Sequence, residues 1–155
     1  MPEDNKKKPA RTSLLIWDAE GEPPVGEWTP VLWRAFVAHA QPDAVSIPAL
    51  IETNADLLRK RYLTWVYELG EKSIQGKRLV EHLQLRPGFS YWWMTLFAEK
   101  CNYSKSKQIN DAIRLMAFDE KWANDQSLGR VVLASSNQEL TECMRLWCQK
   151  KRHYF

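Results

Sequence analysis

The densest group of residues that could do chemistry lies in the stretch RPGFSYWWMTLFAEK, residues 86–100. The paired indoles of Trp92 and Trp93 present flat apolar faces of the kind that stack on sugar rings. The guanidinium of Arg86 is suited to a bidentate hold on a phosphate or a carboxylate. The pattern predicts a helix over residues 91–100, capped by Ser90.

On that helix, Glu99 follows Trp92 by seven residues and lies near the same face. A carboxylate placed among aromatic side chains is a candidate acid or base. We therefore identify Arg86, Trp92, Trp93 and Glu99 as candidate substrate-binding residues, while no catalytic residue is identified. The alternative is that the aromatic residues form core and that Glu99 belongs to a solvated helix end.

A second candidate site is the turn Ser135-Ser136-Asn137. It follows the apolar run 130–134, which predicts a buried strand, and it precedes an amphipathic helix over 138–150. Helix N-termini bind anions, and ligands of open α/β sheets bind at the carboxyl ends of parallel strands. The turn is therefore a candidate anion-binding site. The alternative is simple capping, because Ser136 and Glu139 have the capping-box spacing.

Other chemistries are poorly supported. The motifs GxGxxG, GxxxxGK[ST] and GxSxG are absent from the sequence. The three histidines and three cysteines are scattered, without CxxC spacing: His39, His82, His153, Cys101, Cys143 and Cys148. We therefore predict no metal site and no disulfide framework, and reduced thiols point to a cytoplasmic protein.

Composition fits one α/β domain. The chain has 155 residues, 45% of them apolar, and eight tryptophans. No apolar run approaches the roughly 20 residues that a membrane span needs. The net charge of +3 is concentrated near the ends, so no basic face suits nucleic acid. We predict a disordered tail over 1–12 and a single domain over 13–155. The basic tail would be solvated or, alternatively, would contact the inner face of the plasma membrane.

The predicted elements follow from hydrophobic spacing and punctuation residues. Residues 41–52 are ambiguous, and 77–85 fit either a helix or a strand. The other predictions are a strand over 14–17, a helix that starts at Thr29-Pro30 and is ended by Pro42, a helix from Thr53 or Asn54 that Gly70 closes, and a helix over 108–124.

The strand at 130–134, the turn and the helix over 138–150 make the first half of a βαβ unit. Its second parallel strand is expected to begin at Tyr154-Phe155. We therefore predict a helix-rich, incomplete Rossmann-like α/β domain with a small parallel sheet. The alternative is a helix-rich domain with a small accessory sheet.

Residues 54–122 resemble a family of bacterial surface carbohydrate (O-antigen) biosynthesis proteins. The resemblance is carried by LRKRYLTWVYELG at 58–70 and by the paired-tryptophan stretch 86–100. The opening LLIWD at 14–18 is also similar. It implies a glycosyltransferase with two Rossmann-like domains, of which this chain is similar to the first.

The same resemblance implies that a nucleotide sugar binds in a C-terminal domain missing from this chain. The chain itself would bind no cofactor, would contact a carbohydrate acceptor or the nucleotide sugar, and would not be active alone. The competing hypothesis is a non-enzymatic, tryptophan-rich helical module that binds another protein. A self-contained enzyme is the least supported, because no nucleophile–base pair is recognisable.

Overall fold

A computed structural model describes residues 11–37, 44–95 and 106–155. The structure divides into two compact units, and the single domain over 13–155 stays a prediction. The sheet unit comprises Met1–Leu50 and Phe118–Phe155, and the hairpin unit comprises Ile51–Ala117. Residues 1–10 of the predicted tail lie outside the described residues, as do His39, Glu99 and Cys101.

Eight strands and five α-helices lie within the described residues. The strands are β1 (Thr12–Trp17), β2 (Thr29–Leu32), β3 (Val45–Ser46), β4 (Ser73–Ile74), β5 (Lys77–Arg78), β6 (Gln84–Arg86), β7 (Phe89–Ser90) and β8 (Leu128–Ala134). The helices are α1 (Ile47–Thr53), α2 (Ala55–Glu71), α3 (Leu79–His82), α4 (Lys107–Trp122) and α5 (Gln138–Lys151). None of the helices in the described part of the chain combines the length and the apolarity that a membrane crossing requires.

The sheet unit is built on four parallel strands in the order β3-β2-β1-β8. This order matches the first half of a doubly wound sheet, in which strands step outward on both sides of the first. The prediction of a small parallel sheet in a mixed α/β chain is confirmed. Leu14, Ile16, Val31 and Val131 are each at most 1% exposed. Such apolar strands are typical of parallel sheets that are covered on both faces.

The predicted helix at Thr29-Pro30 is wrong, because these residues begin β2, which pairs in parallel with β1. The Trp33 N–H donates to the Trp17 carbonyl (3.0 Å). Because backbone groups alternate sides along a strand, the Pro30 nitrogen faces away from β1. On that side the ladder to β3 begins only at Val31. Pro30 therefore costs the sheet no hydrogen bond, and its likeness to a helix start misled the sequence interpretation.

After α5 the chain returns to the sheet at Tyr154, where the sequence predicts the second strand of a βαβ unit. After α5, Tyr154 forms a parallel bridge with Arg130 of β8. Its N–H donates to the Gly129 carbonyl (3.1 Å), and its carbonyl accepts from the Val131 N–H (2.8 Å). A single parallel bridge therefore lies where the sequence predicts the second strand to begin.

Helix α5 is held in the sheet unit by one apolar face and one polar contact. Leu140, Met144 and Cys148, spaced four residues apart, are at most 2% exposed. On a neighbouring face, the Trp147 Nε1–H donates to Asp119 Oδ1 (2.8 Å). The burial of the apolar face explains why this helix was predictable from periodicity alone.

The hairpin unit contains α2, as predicted, and two tight β-hairpins. The β4–β5 hairpin turns through Gln75 (φ 50°) and Gly76 (φ 82°), two consecutive left-handed residues. The β6–β7 hairpin turns through Pro87 and Gly88 (φ 76°). The ambiguous stretch 77–85 contains strand, short helix and strand in succession.

The helix predicted over 91–100 is wrong in its described part. Ser90 does cap it, accepting from the Trp92 N–H (3.2 Å), but the helix is a 3-10 helix over Tyr91–Met94. Thr95 is already extended (ψ 158°), and its hydroxyl donates to the Trp92 carbonyl (2.7 Å). Side-chain hydrogen bonds of this kind compete with helical continuation. The helix that was expected to carry both Trp92 and Glu99 therefore does not continue through Thr95, and Glu99 itself lies outside the described residues.

Gly70 does not close α2 as a left-handed cap, because α2 continues to Glu71 and Gly70 has no positive φ. A Cβ at Gly70 would lie 2.7 Å from Trp92 Nε1 and 3.0 Å from Val80 Cγ1. Trp92 is only 4% exposed. The glycine is therefore needed for the close approach of the buried indole.

We predict that Gly70→Ala lowers the free energy of unfolding by about 1–3 kcal/mol through overpacking. Helix propensity alone predicts the opposite sign, a gain of about 1 kcal/mol. Denaturant unfolding measures the difference. Trp92→Phe removes the clashing Nε1, so the double variant should lose less than the sum of the two single losses. Additive losses would contradict the proposed contact.

Cys148 is a buried thiol, and burial raises its pKa to about 11. At pH 8 we expect iodoacetamide to modify the exposed Cys143 in the folded chain and Cys148 only after unfolding, as read by peptide mass spectrometry. The unfolded thiol ionises near pH 8.5, so stability declines between about pH 8.5 and 11 as only the unfolded state loses its proton. Equal labelling of the two thiols would contradict this burial.

Candidate functional site

The carboxyl ends of β1 and β8 lie side by side at the centre of the sheet unit. From β1 the chain continues to β2 on one side, whereas from β8 it passes through α5 to Tyr154 on the other. Neighbouring strands whose connections diverge in this way form a topological switch point. Ligands of open parallel sheets bind in the crevice at such points.

Asp18 is the central side chain at this switch point. Its N–H donates to the Ala134 carbonyl (2.9 Å), which carries the β1–β8 ladder one residue beyond the strand. Its carboxylate is 1% exposed. The carboxylate accepts from Arg34 Nε and Nη2 and, at 2.6 Å, from the Ser135 hydroxyl. A buried carboxylate needs such partners, because desolvation without them is costly.

Arg34 lies two residues beyond β2, and its fork-like contact with Asp18 fixes the guanidinium plane. The Arg34 side chain remains 48% exposed. Sequence reasoning missed this residue. The available signal was an acidic residue directly after one buried strand and a basic residue just after the next.

The turn Ser135-Ser136-Asn137 lies at the switch point as predicted, with different roles for its members. Asn137, not Ser136, is the N-cap of α5, and its side-chain oxygen accepts from the Leu140 N–H (3.3 Å). The Ser135 hydroxyl accepts from the Asn137 N–H (3.0 Å) while it donates to Asp18. The turn thus couples the helix start to a carboxylate of the chain itself. Its role in binding an external anion stays a prediction.

A cavity of about 310 Å³ opens beside this cluster. Its apolar wall is formed by Trp17, Leu32 and Ala35, and Arg34 supplies a charged donor. The Trp17 Nε1–H donates to the Gly21 carbonyl (2.9 Å), which ties the loop after β1 to the indole edge. The cavity volume is at the lower end of the range for small-molecule sites, which suits a ligand of about one ring.

The residues predicted from the paired-tryptophan stretch all belong to the hairpin unit, apart from Glu99, which is not among the described residues. Trp92 is buried against Gly70 and offers no ring face to a ligand in this structure. Trp93 is half exposed. The Arg86 guanidinium lies over the Phe89 ring, 5.2 Å from its centroid. The substrate-binding roles of Arg86 and Trp93 stay predictions.

Trp93 lines a depression of about 210 Å³ in the hairpin unit, together with Arg78, Glu81 and Gln84. Arg78 binds Glu71 and Glu81, at 2.9 Å in each case. The hydrogen bonds from the Arg78 side chain and backbone hold the pKa of Glu81 below its usual value. Glu81 is therefore ionised at neutral pH and is unsuited to act as a proton donor.

Among residues 11–37, 44–95 and 106–155, no group of three or more His, Cys, Asp or Glu side chains is placed to hold a metal ion. No protein-family model, curated protein or solved structure was found to match this chain. The chemistry of the site therefore has to be argued from its own residues.

We predict that Asp18→Asn lowers the free energy of unfolding by about 2 kcal/mol, because it leaves a poorer acceptor for Arg34 and Ser135 in a buried place. The half-exposed Arg34 keeps this loss below that of a fully buried pair. Ser135→Ala is the comparison variant: it removes the hydrogen bond to Asp18 and the one accepted from the Asn137 N–H, keeps the ion pair and should cost about 1–2 kcal/mol. Equal stability of Asp18→Asn and the natural chain in denaturant unfolding would refute the central role of Asp18.

Proposed function

We propose that this chain supplies one Rossmann-like domain of a glycosyltransferase that assembles bacterial surface polysaccharide, and that the cavity beside Arg34 holds a sugar ring. One support is the resemblance of residues 14–18, 58–70 and 86–100 to surface carbohydrate biosynthesis proteins. The observation that carries the proposal is the half-exposed Arg34 guanidinium, fixed by buried Asp18 at the rim of a cavity at the switch point.

The lining of this cavity suits a sugar better than a pyrophosphate. Trp17 provides an aromatic wall for the apolar face of a sugar ring, and Arg34 provides donors for its hydroxyl oxygens. The positive charge of Arg34 is balanced by Asp18, so the cluster is close to neutral. A glycine-rich phosphate loop does not follow β1, where a nucleotide-binding unit of this topology carries it.

In this proposal the donor nucleotide binds in a second domain outside residues 1–155, and the present chain binds and orients the acceptor side of the reaction. Asp18 is not the base that activates an acceptor hydroxyl, because its carboxylate is 1% exposed and already accepts from Arg34 and Ser135. The chain alone is therefore expected to bind carbohydrate without transferring a sugar.

A second candidate function, a protein-interaction module, is favoured by one observation in the hairpin unit. Among the described residues of that unit, five large apolar side chains are 48–66% exposed: Tyr67, Leu85, Tyr91, Trp93 and Met94. Isolated apolar residues at a surface are ordinary, but aromatic residues and methionine are enriched at protein interfaces. Binding of a protein without any binding of carbohydrate would favour this function over the first.

The test is a calorimetric titration of the full chain with free monosaccharides, sugar 1-phosphates and nucleotide sugars. We expect saturable binding of at least one sugar class. Arg34→Gln should weaken this binding about tenfold or more, the usual consequence of losing hydrogen bonds to a charged group. Arg34→Lys should be intermediate, because it keeps the charge and loses the planar fork.

The matched control is Arg145→Gln. Arg145 is also a half-exposed arginine of the sheet unit that binds a carboxylate, Glu142 (2.6 Å), but it does not line the cavity. Its substitution should leave the affinity unchanged. The proposal is wrong if the natural chain binds no sugar. It is also wrong if Arg34→Gln and Arg145→Gln change the affinity for the sugar equally.

A further inference from the structure

The depression beside Trp93 is a second cavity among the described residues, and the Arg34 site does not use it. It has a volume of about 210 Å³ and is lined by Arg78, by residues of α3 and of the β6–β7 hairpin, and by Trp93. All of these residues belong to the hairpin unit, whereas the Arg34 cavity belongs to the sheet unit. The two cavities therefore share no described lining residue.

The frame of this depression is held by hydrogen bonds within the hairpin unit. The Ser90 hydroxyl donates to the Val80 carbonyl (2.6 Å), and the Tyr91 N–H donates to the Leu83 carbonyl (2.8 Å). These two bonds join the end of the β6–β7 hairpin to the region of α3. A site whose frame is formed in advance loses less conformational entropy when a ligand binds.

Two of the lining side chains are held as hydrogen-bond acceptors. The Glu81 carboxylate accepts from the Arg78 backbone N–H (2.8 Å) and from the Arg78 guanidinium (2.9 Å), while its side chain remains 40% exposed. The Gln84 side-chain nitrogen donates to the Arg86 carbonyl (3.2 Å), so the amide oxygen is the end that can accept from a ligand. Such acceptors bind a ligand that brings donors, as sugar hydroxyls do.

The charges around the depression favour a neutral ligand. The hydrogen bonds from Arg78, and then the charges of Arg78 and Lys77, lower the pKa of Glu81, so this carboxylate is ionised with cations close by. The Arg86 guanidinium lies 5.2 Å from the centroid of the Phe89 ring, which also lines the depression. These cations oppose the binding of an ammonium group, whereas the Glu81 carboxylate opposes the binding of a phosphate.

Trp93 supplies the apolar surface of the depression. It is half exposed, and an indole combines a flat apolar face with one N–H donor. A sugar ring offers both an apolar C–H face and hydroxyls, whereas a purely apolar partner would leave the acceptors of Glu81 and Gln84 without donors. The volume is below the range of about 300–1,000 Å³ that is usual for drug-sized ligands, so it suits a single ring.

We propose that this depression binds one neutral sugar ring, with Trp93 stacking on the ring and with Glu81 and Gln84 accepting from its hydroxyls. The inference rests on the proposed function, because it assumes that the chain handles carbohydrate, and it assigns a second and separate site. Glu81 and Gln84 were not identified by sequence reasoning. Arg78 is a positioning residue, because it acts by holding Glu81.

The test is NMR spectroscopy of the isotopically labelled full chain during titration with glucose, galactose and N-acetylglucosamine, with choline and inorganic phosphate as charged probes. We expect at least one neutral sugar to shift the indole N–H resonance of Trp93 and the side-chain amide resonances of Gln84 saturably. Because the depression is smaller than the Arg34 cavity, it should saturate at a higher sugar concentration. A response of Trp93 to choline or phosphate and to none of the sugars would overturn the proposal.

Trp93→Ala should weaken sugar binding, followed at the Gln84 amide, by about tenfold, because it removes most of the apolar contact area. The matched control is Tyr91→Ala. Tyr91 lies on the same 3-10 helix and is 48% exposed against 50% for Trp93, but it does not line the depression. Equal weakening by the two variants would contradict the site.

Glu81→Gln should also weaken binding by about tenfold, the usual loss for a hydrogen bond to a charged group. If Trp93→Ala does not fold, Gln84→Ala decides, because Gln84 is exposed and its truncation should keep the fold. With the Trp93 indole resonance as the readout, Gln84→Ala should weaken binding severalfold. Unchanged affinity in both Glu81→Gln and Gln84→Ala would overturn the proposal.

The same spectra separate this inference from the proposal for the Arg34 cavity. Shifts at residues 17–21 and 32–35 without any at Trp93 would overturn the hairpin site and leave the Arg34 proposal intact. Shifts at Trp93 without any at the switch point would support the hairpin site and contradict the Arg34 proposal. In Arg34→Gln the response of Trp93 should persist, because the two cavities share no described lining residue.

Discussion

The buried carboxylate of Asp18 is the interaction on which the sheet unit depends. It binds Arg34, just beyond β2, and Ser135, just beyond β8, while its own N–H extends the ladder from β1. One side chain therefore joins the carboxyl ends of three neighbouring strands. A carboxylate that is 1% exposed is tolerated only when its oxygens are satisfied, so the three strand ends have one mutually consistent arrangement.

The same constraint shapes the candidate site. Because Asp18 binds Arg34 through two nitrogens, a half-exposed guanidinium is held at the cavity that Trp17 also lines. Arginine loses less side-chain entropy on binding a ligand when its fork is already positioned. The two residues of this ion pair thus differ in role. Asp18 is buried and holds the strand ends together, whereas Arg34 is half-exposed and is the residue proposed to contact the ligand.

Sequence reasoning succeeded where one local signal dominates. The apolar runs of β1 and β8 and the four-residue spacing of α5 depend on burial alone, and they were predicted. Thr29-Pro30 failed because the same residues suit a helix start and a strand whose proline faces no partner. Ser135 was placed correctly, but its bond to Asp18 joins residues 117 positions apart, which no local pattern reveals. Arg34 was missed for the same reason.

The most direct test of this account is NMR spectroscopy of the isotopically labelled chain. Backbone amide chemical shifts are followed while a sugar that the chain binds is added. The account predicts saturable shifts that cluster at residues 17–21 and 32–35, the loop after β1 and the end of β2 that line the cavity. Shifts confined to the hairpin unit, or scattered without saturation, would show that the switch point of this sheet is not where the ligand binds.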